Sequence, residues 1–226
     1  MRTHRGFGPL FGGLVAVAAA VPQLATAQSS WYVGASAGQS RIDASTGEIE
    51  SGFLIDDAFT ASGTTLDKSD TGWKAYAGWR FNRFLAAEAG YADLGKASFD
   101  TTIVAAPPGT VPAPPFALHA TAEARGVFLS ALAHWPFAER FSVFAKAGVF
   151  RSEAEFTETI PSTGATRVSR TERHTDANFG AGLQWQVLPA VAVRVEWERF
   201  KDIGRGIGGR EGRDVDFASA GLLVSF

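Results

Sequence analysis

Apolar and polar residues alternate along most of this chain. From Asp216 onward, every second residue is Ala218, Ala220, Leu222, Val224 and Phe226. The residues between them, Phe217, Ser219, Gly221, Leu223 and Ser225, are small and mixed. A period of two marks a β-strand whose two faces meet different surroundings. The same alternation recurs upstream. Trp31, Val33, Ala35 and Ala37 oppose Tyr32, Gly34, Ser36 and Gly38, and Trp73, Ala75, Ala77 and Trp79 oppose Gly72, Lys74, Tyr76, Gly78 and Arg80. Leu85, Ala87, Ala89 and Tyr91 oppose Ala86, Glu88 and Gly90; Val127, Leu129, Ala131, Ala133 and Trp135 oppose Gly126, Phe128, Ser130, Leu132 and His134. Val143, Ala145, Ala147 and Val149 oppose Phe144, Lys146, Gly148 and Phe150, and Phe179, Ala181, Leu183 and Trp185 oppose Asn178, Gly180, Gly182 and Gln184. The sharpest case sets Val191, Val193, Val195 and Trp197 against Ala192, Arg194, Glu196 and Glu198.

This pattern predicts eight strands, with connections that alternate long and short. Asn82-Arg83, Pro136 to Glu139 and Leu188-Pro189-Ala190 are tight turns. The long connections are an acidic segment over 44–69, a second over 96–120, a polar third over 157–172 and a Gly- and Arg-rich fourth over 203–212. The second carries Pro107-Pro108-Gly109-Thr110-Val111-Pro112-Ala113-Pro114-Pro115, which cannot donate a strand ladder and predicts a stiff, partly polyproline-like loop. A long last strand left unpaired would expose its edge, so pairing with the first strand predicts closure into a barrel.

One face is apolar on nearly every strand, whereas the other mixes glycine and serine with a few charges. A soluble lipocalin-like barrel or sandwich would bury a bulky face and expose a charge-rich one. Small residues on the polar face instead suit the crowded inside of a narrow barrel, and tight turns at one rim with long loops at the other suit a barrel that crosses a membrane. Trp31, Trp73, Trp135, Trp185 and Trp197 fall towards strand ends, where aromatic girdles sit. The predicted fold is all-β: an eight-stranded antiparallel up-and-down transmembrane barrel with short periplasmic turns and long external loops.

The N-terminus strengthens the membrane reading. Met1-Arg2-Thr3-His4-Arg5 is basic, residues 10–21 are apolar, and Ala25-Thr26-Ala27 has small-x-small spacing. This predicts a signal peptide over 1–27 and a barrel over 28–226. Losing Arg2 and Arg5 leaves 19 basic and 23 acidic side chains, a formal charge of about −4 that offers nothing to nucleic acid. There is no cysteine, so the exported fold must hold without disulfides.

The stretch Gly72-Trp73-Lys74-Ala75-Tyr76-Ala77-Gly78-Trp79-Arg80-Phe81-Asn82 leads on to Glu88-Ala89-Gly90-Tyr91-Ala92-Asp93-Leu94-Gly95. Arg194-Val195-Glu196-Trp197 is followed by Asp202-Ile203-Gly204, and Phe226 is terminal. In order and spacing these residues resemble the transmembrane barrel of the outer membrane protein A (OmpA) family. The resemblance implies an outer-membrane location, a terminal aromatic, Phe226, read by the barrel-insertion machinery, and a structural and surface-interaction role exercised through external loops on an extracellular ligand of unidentified kind. Many relatives carry a second, peptidoglycan-binding domain, which this sequence is expected to lack. The partners expected are outer-membrane lipid and the insertion machinery, with no cofactor and a monomeric state.

Alternation places Glu88, Lys146, Arg194, Glu196, Lys74 and Arg80 on the luminal face, where buried charges must pair. Tyr76, Phe128, Leu132, Phe144 and Phe150 should fill the space around them. The alternative readings are a narrow ion or small-solute channel, or a lipid-modifying enzyme of the kind with a Ser/His/acid site. Ser130 and His134 share a face but lie about 13 Å apart by strand rise, too far for a nucleophile–base pair. His119 and His174 remain open as partners of a loop serine. Gly204-Arg205-Gly206-Ile207-Gly208-Gly209 fits G-x-G-x-x-G, yet a strand and not a helix follows it, which excludes a dinucleotide site.

Overall fold

The computed structural model describes residues 31–47, 59–205 and 212–226. The expected signal peptide and Gly206 to Gly209 lie outside them. Among the described residues the chain forms nine antiparallel strands, the eight expected and one more: β1 (Trp31–Ile42), β2 (Thr60–Asp67), β3 (Ser69–Arg80), β4 (Leu85–Ala105), β5 (Phe116–Ala138), β6 (Phe141–Ile160), β7 (Ala165–Leu188), β8 (Val191–Ile203) and β9 (Arg213–Ser225). Eight of them make a closed ring in which each strand after β1 pairs with its predecessor, β2 apart. β9 returns to β1, with Tyr32 opposite Ser225 and Ile42 opposite Val215. The Phe226 N–H donates to the Trp31 carbonyl at 3.2 Å. The closing pair satisfies two backbone edges that would otherwise be open.

β2 stands outside the ring and, among the described residues, pairs only with β4, from Thr60 opposite Ala105 to Asp67 opposite Ser98. It corrects the loop expected over 44–69. The ladder breaks between Ser62 and Thr65 around Gly63, whose φ is 69°. That bulge is where the sequence reads as loop.

Two further loops are shorter than expected. β4 runs on through Ala105, and β5 begins at Phe116, so only residues 106–115 of the proline-rich segment connect them. Thr101 and Ile103, and then Phe116, Leu118 and Ala120, keep an inward alternation that the neighbouring prolines obscure. The third segment is a hairpin, with β6 reaching Ile160 and β7 starting at Ala165 around Gly164, whose φ is 66°. Its threonine-rich flanks suit strands.

β4, β5, β6 and β7 therefore have 21, 23, 20 and 24 residues, against 12 in β1 and β3 and 13 in β8 and β9. About ten residues cross a bilayer as a tilted strand, so half of each long strand projects beyond it. The projecting sheet has its own core of buried Ile103, Phe116, Leu118 and Ile160, with Phe59 and Phe99 packed against it.

The ring carries its apolar side chains outward. Val33, Leu85, Val127, Leu129, Val143, Val149, Leu183, Val195 and Leu222 are all exposed. A ring of exposed large apolar side chains is rare on a water-soluble monomer and is the surface of a barrel in hydrocarbon. Trp31, Trp135, Trp185 and Phe141 border it at the short-turn rim, and Trp73, Trp197 and Phe179 at the other; all are exposed. Beyond the second border, outward positions turn charged. Arg173 Nε and Arg125 donate to Glu153 at 2.8 and 3.2 Å, and Arg199 grips Asp216 with two 2.7 Å bonds. The Arg173 guanidinium, and then that of Arg125, hold the Glu153 carboxyl below its ordinary range.

Val195 sits mid-belt and 55% exposed. Val195→Arg is expected to lower stability by about 2–4 kcal/mol in urea unfolding of the barrel refolded into vesicles, and Val195→Leu to change little. An unaffected Val195→Arg would mean that this face does not meet lipid.

Candidate functional site

Inside the ring, side chains close the bore. β8 sends Ala192, Arg194, Glu196, Glu198 and Phe200 inward from the short-turn end to the loop end, and all five are buried. Tyr76, Phe128, Leu132, Phe144 and Phe150 are buried too, as the alternation predicts. Glycine makes room for them. A Cβ at Gly78 would lie 2.1 Å from the Tyr32 ring, and one at Gly182 2.6 Å from the Phe144 ring, so each aromatic lies flat over a neighbouring strand where only glycine fits.

Five of the six expected luminal residues meet in one network. Arg194 Nη1 donates to Glu88 Oε1 at 2.5 Å and Nη2 to Gln184 Oε1 at 3.1 Å; the Tyr32 hydroxyl donates to Glu88 at 2.8 Å. Lys74 contacts both Glu196 and Glu198. Lys146 Nζ lies 2.6 Å from Glu198, 3.6 Å from Glu196 and 3.8 Å from Glu88. Lys146 and Glu196 are held by proximity of charge more than by aligned hydrogen bonds. The cations also face rings: Arg194 lies 4.7 Å from the Phe144 centroid and 5.3 Å from that of Tyr76, and Lys146 lies 4.8 Å from that of Phe128. Such contacts help desolvated cations.

Glu198 completes this network and was not among the residues singled out from sequence. It is fully buried. Its spacing from Arg194 and Glu196 was the available signal, but a position near a strand end reads equally as rim. With it, among the described residues, the core holds three cations, Lys74, Lys146 and Arg194, and three anions, Glu88, Glu196 and Glu198. Neutrality matters because removing one partner of a buried set leaves an uncompensated charge.

Arg80, the sixth expected member, stands apart. It faces inward near the short-turn rim, 5.1 Å from the Tyr32 ring, with no carboxylate in salt-bridge reach among the described residues. On the loop side, Phe150 and Phe200 meet edge to face at 4.7 Å beside the fully buried Phe217 and cap the charges. Phe226 is exposed on the outer surface at the short-turn rim.

The histidines lie elsewhere. His134 lies 5.4 Å from the Phe144 ring, while Ser130 Oγ accepts from Asn178 Nδ2 at 3.2 Å. His119 Nδ1 is 2.8 Å from Asp100 on the projecting sheet. Among the described residues, no group of three or more His, Cys, Asp or Glu side chains is arranged to hold a metal ion.

The family model for the OmpA-like transmembrane domain matches residues 26–226. Outer membrane protein A of Klebsiella pneumoniae is 27% identical over 200 residues, covering 88% of this chain and 51% of the relative. Outer membrane protein P5 of Haemophilus influenzae is 26% identical over 194 residues, covering 83% and 50%. The chain thus spans about half the length of these curated relatives. The crystal structure of Ail, the attachment invasion locus protein of Yersinia pestis, superposes with a TM-score of 0.50 at 16% identity, over 88% of this chain and all of that one.

Lys74→Met should cost about 3–5 kcal/mol in urea unfolding followed by tryptophan fluorescence, because Glu196 and Glu198 lose their shared cation. Adding Glu198→Leu should restore part of that loss. A double variant as unstable as the two single losses combined would show that these charges do not act as one set.

Proposed function

Because the chain belongs to the OmpA-like transmembrane domain family and is an outer-membrane β-barrel protein, we propose that it acts through the sheet it raises above the membrane, with a barrel that anchors and does not conduct. The observation that carries this reading is the projecting half of β4 to β7, ordered around Ile103, Phe116, Leu118 and Ile160. A barrel needing only to span the membrane gains nothing from strands of 20 residues and more. A separate apolar core gives the projecting hairpins fixed shape, so that an extracellular partner meets a preformed surface and little ordering entropy is lost on binding.

The lumen supports the anchoring half of this reading over a channel. Eight strands leave an interior just wide enough for side chains. Here it is filled by a neutral six-charge network between Tyr32 and Phe144 on one side and Phe150, Phe200 and Phe217 on the other. In this reading Glu88, Lys146, Arg194, Glu196 and Lys74 hold the wall together from within. Phe226 serves assembly: it is an apolar anchor beside the closing β1–β9 pair, placed where the insertion machinery would read it.

Trimming residues 97–122 and 155–170 to tight turns should leave a barrel that resists detergent unheated and shifts on boiling, while whole cells lose whatever adhesion the untrimmed protein confers over cells that lack it. Undiminished adhesion by the trimmed protein would reject the proposal. In planar bilayers the parent protein should give rare, small conductance steps or none, and large stable steps would favour the channel. Phe226→Ser should lower the amount of assembled barrel in the outer membrane, seen as loss of the heat-shifted band.

A further inference from the structure

The short-turn rim encloses an open vestibule of about 430 Å³, within the size range of small-molecule sites, for which barrel mouths are a common setting. Its walls are positive: Arg80, Arg83 and Arg140 line it against one carboxylate, Glu139. In the family's orientation this mouth faces the periplasm.

Two features set it apart from a merely wet opening. The first is the distribution of charge. The six buried charges above it are mutually neutral, so the inward Arg80 is a surplus cation at the mouth, resting on the Tyr32 ring at 5.1 Å without a carboxylate of its own among the described residues. The second is His134. Its side chain lines the vestibule, only 6% of the residue is exposed, and Nε2 is buried without a hydrogen-bond partner among the described residues. Gln184, also in the wall, has its amide oxygen taken by Arg194 at 3.1 Å, and its amide N–H groups are the donors it can still offer. Guanidinium forks matched with an unsatisfied imidazole and an amide donor form a recognition set for oxyanions.

The geometry points to a periplasm-facing site for a small, multiply charged oxyanion, a phosphate ester or a polycarboxylate, held by Arg80 and Arg83 with His134 at its inner end. The ligand supplies the negative charge that the vestibule lacks. The ligand enters from the short-turn rim, at the end of the barrel opposite the external sheet.

The test uses the full barrel refolded in detergent micelles, with folding checked by the heat shift. Inorganic phosphate and citrate are titrated separately at matched ionic strength, with sodium chloride as the control, and followed by NMR of the arginine Nε–H and histidine ring signals. Saturable shifts at Arg80, Arg83 and His134 with phosphate or citrate, and none with chloride, are expected; the tighter of the two anions identifies the ligand class. Arg80→Gln should weaken the binding about tenfold, the loss of one charge-assisted bidentate contact. Arg125→Gln, on the external side, should leave it unchanged. If Arg80→Gln does not fold, Arg83→Gln on the exposed turn decides, with weakening again expected. Shifts that follow ionic strength alike for all three salts, or binding that survives the arginine substitution read, would overturn the site.

Discussion

Closure of eight strands on themselves dictates nearly everything else in this molecule. Away from its mouths, a ring of that size leaves no room for solvent to screen charges, so each side chain in the middle of the bore must fit its neighbours and each charge there must find its opposite. The three cations and three anions around Glu198 and Lys146 answer that demand. So do the glycines: Tyr32 can reach Glu88 because Gly78 leaves its ring a place against the wall. Aromatic rings then take the space that charges leave and face the cations directly.

The same closure inverts the usual layering of a protein. The apolar belt is outside because lipid is there, and the polar core is inside because it can neutralise itself. Where the belt ends, at the ring of Arg125, Glu153, Arg173, Arg199 and Asp216, the solvent changes and so does the packing. Beyond it the four long strands no longer enclose a bore. They form a sheet with its own apolar cluster, stiffened by β2 along one side. One chain thus uses two kinds of core, one built from charge balance within lipid and one from apolar burial in water. The rim at the opposite end belongs to neither, since its surplus positive charge faces water.

The eight membrane strands, their two faces, the aromatic girdles and the closing pair were all legible in the sequence. Side-chain alternation is local, and in a barrel it maps directly onto lipid and lumen. The projecting strands were not legible. Thr101 and Ile103, or Phe116 and Leu118, alternate too briefly beside nine proline-rich residues, and pairing across 106–115 is what makes them strands. Gly63 hid β2 for a similar reason, since a bulge reads as loop until its partner strand is in place.

In the lumen, the sequence by itself determined which residues face inward: Glu88, Lys146, Arg194, Glu196, Lys74 and Arg80 all do. Only the tertiary structure decided who meets whom. Inward direction depends on a residue's parity along its own strand, whereas contact depends on the stagger between strands, which the whole ring sets when it closes. That stagger brings Glu198 level with Lys74 and Lys146 and leaves Arg80 alone at the mouth, although nothing in their spacing along the chain separates the two cases.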